Sequence, residues 1–275
     1  MLHVDIVNPY NAPVYHEGCV SSTMDFIRDL AGRGNPHGTV IWADFQESGR
    51  GRLGRLWKTE KGQALMFSIF LKFSDFSLVP IALTLRTGLA VSLAIEDFLP
   101  ALTGYVQVKW PNDVMLISKN KKTAKKAVGI LAEAENANVY LGIGVNITQR
   151  KFPKELEVKA GSLILTFLEL FPDSDLPAIL LAPDAAHKLL EKILFRLYRE
   201  LEEPKEQCSW KTRLEERLYM RAKKVNFAVG KADSANLIQG HLAGIGEGGE
   251  LLLIPQGETE PRAFITGELL VYNGS

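Results

Sequence analysis

Residues 46–57 read QESGRGRLGRLW, and within them GRGRLG at 49–54 satisfies the GxGxxG template letter for letter. That template serves a dinucleotide when it turns a first strand into a helix and lets bare backbone approach a pyrophosphate. Here Arg50 and Arg52 sit between the glycines, Arg55 follows, and the chain continues as LWKTEKGQALMFSIFLKF. Its Leu65, Phe67, Ile69 and Leu71 recur at every second position, the period of a strand. A Gly/Arg loop leading into a strand excludes the Rossmann arrangement. Its three glycines still permit close backbone approach, and its three arginines supply planar donors suited to carboxylate or phosphate. The loop is therefore expected to grip an anion by other means.

The rest of the chain limits what that anion belongs to. The 275 residues, 46% hydrophobic and 23% charged, have the balance of an ordinary globular protein with ample core. Lys+Arg and Asp+Glu are each 32, so the net charge is zero and no global basic footprint marks the surface for nucleic acid. Cys19 and Cys208 form no CxxC or zinc spacing and read as reduced thiols in a reducing compartment. The N-terminal MLHVDIVNPYN lacks a basic segment leading into an apolar run. The most apolar segment, 80–100, is interrupted by Arg86, Glu96 and Asp97 and reads as a buried helix. A soluble, cytoplasmic protein with no membrane partner is expected.

Patterning predicts a helix over Ser21–Leu30 with Ser or Thr as N-cap and Asp25 in its first turn. Strands are predicted at Thr39–Phe45 and Ala64–Phe73, then a helix over Ile81–Phe98. Further strands follow at Val106–Trp110, Asp113–Ile117, Val128–Glu133 and Val139–Ile147. Loop and short helices are expected over 150–180, and a long helix over Pro183–Arg217, broken near Pro204. Successive strands flanked by helices indicate an α+β fold with a mixed sheet. From about residue 221, VNFAV, LIQGHL, ELLLIP, RAFIT and ELLVY alternate with turn residues, the pattern of a small antiparallel barrel with a core of its own. The expected domains are 1–220 and 221–275.

Three further stretches carry chemistry. In VKWPNDVML, 108–116, Pro111 breaks a ladder and leaves Asn112 and Asp113 in a turn, where Asp113 beside a basic loop could hold a cation or orient an amine. In KKAVGILAEAE, 125–135, Lys126 leads directly into an apolar strand and becomes a fixed positive charge, whereas Lys119 to Lys122 read as a solvated face. In YLGIGVNI, 140–147, Gly142 and Gly144 share one strand face and either leave room for a flat ligand or pack tightly against a helix.

Together with Ser22-Thr23, the segments 46–57, 109–113, 126–133 and 142–146 resemble the ordered motifs of biotin–protein ligases: GRGRxGRxW, KWPND, the lysine ahead of GIL…E, and GxGxN. The resemblance covers roughly 20–270. It implies a class II synthetase-like catalytic fold followed by an SH3-like barrel. Fewer than two dozen residues precede Ser21, so the form without an N-terminal DNA-binding domain, and hence without DNA as partner, is expected. Two departures stand out: a lysine-rich segment before Lys126 that makes Lys125 a rival, and Val128 where glycine is common, which would narrow the pocket.

The resemblance implies biotin and ATP as substrates with Mg2+, adenylation of biotin, and transfer to a lysine of a biotin carboxyl carrier protein of acetyl-CoA carboxylase or a similar carboxylase. It assigns Lys126, Arg52, Arg50 and Asp113 to catalysis. Ser22, Thr23, Met24, Gln46, Gly49, Arg50, Gly51, Arg52, Lys126, Gly142 and Gly144 would contact biotin. Arg52, Arg55, Trp57, Lys109, Asn112 and Asn146 would contact ATP, and Asp113 would meet metal only through Mg-ATP. Gly267 and Glu268 are the barrel residues expected nearest the site, and homodimerisation is left open. Two alternatives stand beside this reading: a lipoate or octanoate ligase or transferase, and a nucleic-acid-binding module using the arginines and the lysine run.

Overall fold

The computed structural model describes residues 2–120, 123–202, 209–230 and 237–270. Expectations concerning Lys121, Lys122, Pro204, Cys208, Val271 and Tyr272 lie outside the described residues. In chain order the first elements are β1 (Leu2–His3), β2 (Val14–Glu17), α1 (Thr23–Gly32), β3 (Val40–Ala43), β4 (Ala64–Lys72) and α2 (Leu83–Phe98). Next come β5 (Val106–Lys109), β6 (Asp113–Ile117), β7 (Ala124–Glu135) and β8 (Asn138–Asn146). Helices α3 (Leu163–Leu170), α4 (Ala178–Leu181), α5 (Ala185–Leu201) and α6 (Trp210–Glu215) follow. The chain closes with β9 (Lys224–Ala228), β10 (Leu237–Ile245), β11 (Leu251–Pro255), β12 (Arg262–Phe264) and β13 (Glu268–Leu270).

Among the described residues the first eight strands form one sheet in the order β1-β2-β3-β4-β8-β7-β6-β5. Only β2 and β3 run parallel, joined across α1; the other neighbours are antiparallel, so the mixed α+β expectation holds. Ser22 caps α1 by accepting from the Met24 amide at 3.3 Å, and Met24, Ile27 and Leu30 turn their side chains inward. The alternation read in 64–72 becomes β4, where Leu65, Phe67, Ile69 and Leu71 enter the main core with α2, α3 and α5. The other face of the sheet carries α1, through Met24, Ile27, Ile41 and Phe70. The Gly/Arg loop and the glycine-bearing faces of β7 and β8 therefore share the α1 side.

Residues 76–98 are long and apolar enough to cross a bilayer by composition, and half of that stretch is buried. Leu89, Val91, Ala94, Ile95 and Phe98 account for its hydropathy as core packing. One buried carboxylate ties the helices together. Glu200, on α5, accepts from Arg213 at 2.7 and 3.1 Å and from Arg86 at 3.2 Å.

The final five strands form a second antiparallel sheet, β12-β11-β10-β9-β13, with β12 and β13 at its two edges. Its core is not its own. Val225, Phe227, Leu242, Leu251, Leu253 and Leu269 pack in one cluster with Leu85 and Leu89 of α2, Val108 of β5, Trp110, Leu214 and Leu218. The expectation of a separate small core is corrected: the change of period at residue 221 marks a second sheet, but its apolar face is covered by the larger one's helices and turn. Trp110 also donates from Nε1 to the Gly249 carbonyl at 3.0 Å. Cys19 is a free thiol and exposed.

Candidate active site

The Gly/Arg loop is a short hairpin. Trp57 N–H donates to the Gly49 carbonyl at 2.8 Å and Gly51 N–H to the Arg55 carbonyl at 2.8 Å, with Arg50 opposite Leu56. Its tip turns through Leu53 and Gly54 at φ of 58° and 74°. A Cβ on Gly49 would lie 2.5 Å from the Trp57 carbonyl oxygen, so the glycine is required by the hairpin's own backbone contact. No helix follows, which agrees with rejecting the dinucleotide template.

The hairpin delivers Trp57 onto the sheet. Gly129 of β7 and Gly144 of β8 are cross-strand partners. A Cβ on either would come within 2.8 and 2.6 Å of the indole. The two glycines thus make one bare patch, and the flat group lying on it is the chain's own Trp57. Gly142 is likewise filled from within, a Cβ there meeting Met24 Sδ at 2.7 Å. Of the two readings left open for this strand face, close packing is the one seen: Met24 of α1 and Trp57 of the hairpin occupy it. Val128 points the other way, fully buried in the main core, and does not narrow the site.

Charged groups gather beside the indole. Lys109 and Asp113 are paired across the β5–β6 hairpin, whose turn contains a cis Trp110–Pro111 peptide, and Asp113 also faces Gly129. Lys126 Nζ lies 2.6 Å from Asp113 Oδ1 and 5.6 Å from the Trp57 ring centroid. Strand alternation sends the rival Lys125 elsewhere: its Cβ lies 2.8 Å from where a Cβ on Gly161 would sit. Arg52 donates to Asn112 Oδ1 at 3.2 Å, and Asn112 Nδ2 donates to the Ile130 carbonyl at 2.7 Å. Burial holds the Arg52 guanidinium below its ordinary pKa, while Asp113 and Glu268 pull it back up. Burial likewise depresses the Lys109 amine; Asp113 and Glu268 oppose that fall, and Lys126 and Arg55 reinforce it.

Arg55 is engaged by the C-terminal sheet, donating to both carboxylate oxygens of Glu268 at 3.0 and 2.6 Å. These hydrogen bonds hold the Glu268 carboxyl below its ordinary range. Glu268 thus lies where the sequence placed the interface. Arg50 is directed to α1, 2.5 Å from Asp25.

A neutral polar network lies at the start of α1. Thr23 donates to Gln46 Oε1 from its backbone N–H at 2.8 Å and from Oγ1 at 3.0 Å, while Ser68 Oγ donates to Thr23 Oγ1 at 2.9 Å. At the far end of β8, Asn146 Nδ2 donates to the Gly161 carbonyl at 2.9 Å. Asn146 Oδ1 and Trp57 Nε1 are buried without a partner, two orphaned polar atoms in one region. Just past Asn146 an open cleft of about 480 Å³ is lined by Glu60, Gln63, Thr148, Arg150 and Lys151.

The biotin/lipoate A/B protein ligase family model matches residues 18–146, the span holding every motif just described. Over that span the chain resembles this family. The chain is 34% identical over 189 residues to the biotin–[acetyl-CoA-carboxylase] ligase of Mycobacterium tuberculosis, covering 66% of this chain and 59% of that one. It is 36% identical over 158 residues to the bifunctional ligase/repressor BirA of Bacillus subtilis, covering 54% and 45%. The chain therefore spans about half the length of the curated relatives it matches. A biotin protein ligase from Aquifex aeolicus, solved in complex with biotin and ATP, superposes with a TM-score of 0.70 at 27% identity over 94% of this chain and 97% of that one. The ligase-family fold thus extends over the C-terminal sheet as well as the region that the family model matches.

Sequence reading missed one residue of this network. Ser68 lies in the middle of a strand with nothing in its neighbours to mark it. The glycine of 128–133, which the resemblance implied would bed the ligand, is Gly129, and here it lies opposite Gly144 under Trp57.

Proposed function

We propose that the chain activates biotin with ATP and transfers the biotinyl group to a lysine of a carrier domain, such as that of an acetyl-CoA carboxylase. The carrying observation is the cluster of Lys126, Lys109 and Arg52 around Asp113, beside the half-buried indole of Trp57. In the first step a biotin carboxylate oxygen would attack the α-phosphorus of ATP, forming biotinyl-5′-AMP and expelling pyrophosphate. Two anions must approach, so fixed cations are needed both to offset repulsion and to stabilise charge in the transition state. Lys126 and Arg52 would lie at the new acyl–phosphate linkage, with Lys109 and Arg55 toward the departing phosphates.

In the second step a neutral carrier lysine would attack the acyl carbonyl and release AMP, its ammonium proton passing to solvent or to Asp113. Asn146 Oδ1, an orphaned acceptor, suits the exocyclic amine of adenine. Trp57 offers a flat apolar surface for stacking. The hairpin over the intermediate would keep water from the mixed anhydride. Ser22, by contrast, is engaged as the N-cap of α1, and Arg50 would have to leave Asp25 to reach the ligand.

Among the described residues no group of three or more His, Cys, Asp or Glu could hold a metal. Mg2+ bound through phosphates needs only one or two protein carboxylates, and Asp113 fits that more modest role. Bound there, the ion would supply charge neutralisation on the phosphates.

The family model also covers lipoate ligases. The hydrogen-bonding network of Thr23, Gln46 and Ser68 favours a urea ring, which has donors and an acceptor, over a dithiolane, which has neither. Pyrophosphate release measured with biotin and with lipoate tests the choice: release with biotin alone is expected, and release with lipoate alone would overturn it.

A further inference from the structure

We infer that Ser68 is a positioning residue that orients Gln46 toward the ring end of the ligand, a role that rests on the ligase reading above. The direction of every hydrogen bond in the network follows from one backbone group. The Thr23 N–H can only donate, so the Gln46 atom 2.8 Å away must be its carbonyl oxygen. Thr23 Oγ1 lies 3.0 Å from that same oxygen and spends its proton there. The remaining contact, 2.9 Å between Ser68 Oγ and Thr23 Oγ1, must then use the serine proton.

Ser68 is fully buried on β4 and faces Gly142 across the ladder. A Cβ on Gly142 would sit 3.5 Å from its hydroxyl, so Ser68 belongs to the same floor as Met24 and Gly142. The relay leaves the Gln46 amide nitrogen turned toward the hairpin, 3.2 Å from a would-be Cβ on Gly49. There its two N–H groups are donors for a urea carbonyl. Without Ser68, Thr23 loses the partner that holds its hydroxyl in line with Gln46.

The test is a pyrophosphate-release assay titrating biotin and ATP separately in wild type, Ser68→Ala, Ser68→Cys, Thr23→Val and the Ser68→Ala/Thr23→Val double variant. Loss of one net hydrogen bond predicts a rise in biotin KM of about fivefold to tenfold for Ser68→Ala, with kcat and ATP KM nearly unchanged. The cysteine, a near-isosteric weak donor, should fall between serine and alanine and serves as the comparison if the alanine variant folds poorly. Because Ser68 acts through Thr23, adding Ser68→Ala to Thr23→Val should raise KM no further. Unchanged biotin KM in Ser68→Ala, additive effects in the double variant, or an equal rise in ATP KM would overturn the inference. A wild type inert with biotin would instead bring down the ligase reading, and the wild-type control separates that outcome from the others.

Discussion

Lys126 and Asp113 meet at 2.6 Å across two neighbouring strands, and the lysine amine also lies over the Trp57 indole. The carboxylate fixes the amine in place beside the aromatic seat while leaving it partly open, with 35% of its side chain exposed. Lys126→Ala is expected to reduce adenylate formation about a hundredfold, the scale for losing a preorganised transition-state charge. Thermal unfolding should shift little, because a partly exposed ion pair contributes only about 0–1 kcal/mol. Pyrophosphate release near the wild-type rate would show that another cation performs this role.

Gly144→Ala should disturb Trp57 without touching a charged group. The added Cβ would come within 2.6 Å of the indole, so the ring must lift from its seat. The expected outcome is a red-shifted tryptophan emission, absent in a Trp57→Phe background, and an ATP KM higher by about tenfold, taking the lower part of the range for overpacking. Emission and KM both unchanged would mean that the indole is not held where the structure places it.

The pH dependence of nucleotide binding should follow Lys109. Burial lowers its pKa below the ordinary 10.5, so the folded protein loses this proton before the unfolded chain does. Between the depressed value and 10.5 the unfolded state binds more protons, and stability from this group therefore rises with pH. Nucleotide binding should move the opposite way, because a neutral Lys109 no longer attracts phosphate. ATP KM measured on the alkaline side should rise as this proton is lost, and Lys109→Arg should flatten the rise. An identical profile in the arginine variant would rule Lys109 out as its source.

The C-terminal sheet should prove inseparable from the larger one. Its contact with the hairpin, Arg55–Glu268, is 57% and 25% exposed on its two sides and so contributes about 0–1 kcal/mol. Burial of Val225, Phe227, Leu242 and Leu269 against Leu85, Leu89 and Trp110 contributes about 1.5–3 kcal/mol per large side chain and dominates. Truncation after Arg221 would expose that apolar face, and the shortened chain is expected to bind ANS and lose its cooperative melt. Glu268→Gln in the full chain should leave the melt in place while removing the carboxylate charge opposite Arg55, changing ATP KM but not folding. A truncated chain with an unaltered melting profile would contradict the shared core.

These outcomes separate what the sequence made legible from what it did not. The alternation of Leu65, Phe67, Ile69 and Leu71 is local, so β4 and the exclusion of a dinucleotide loop could be read directly. The same holds for a Ser or Thr N-cap on the first helix, which proves to be Ser22, and for Lys126 at the mouth of an apolar strand. The seat of Trp57 was not legible, because it needs Gly129 and Gly144 from different strands to fall opposite one another. Each glycine alone reads equally well as packing. The shared core was hidden for a similar reason: a change of period at residue 221 tells where strands begin, not what their inner faces cover. Arg50 shows the reverse case, a motif residue whose partner here, Asp25, is an ordinary first-turn acid.

The central claim is acyl transfer through an adenylate, and its most direct test is the mass of a biotin carboxyl carrier domain after incubation with the full chain, biotin and Mg-ATP. The account predicts a gain of a single biotinyl group on the carrier's target lysine, dependent on ATP and strongly reduced with Lys126→Ala. A carrier of unchanged mass with biotin, or one modified only when lipoate replaces it, would contradict the account.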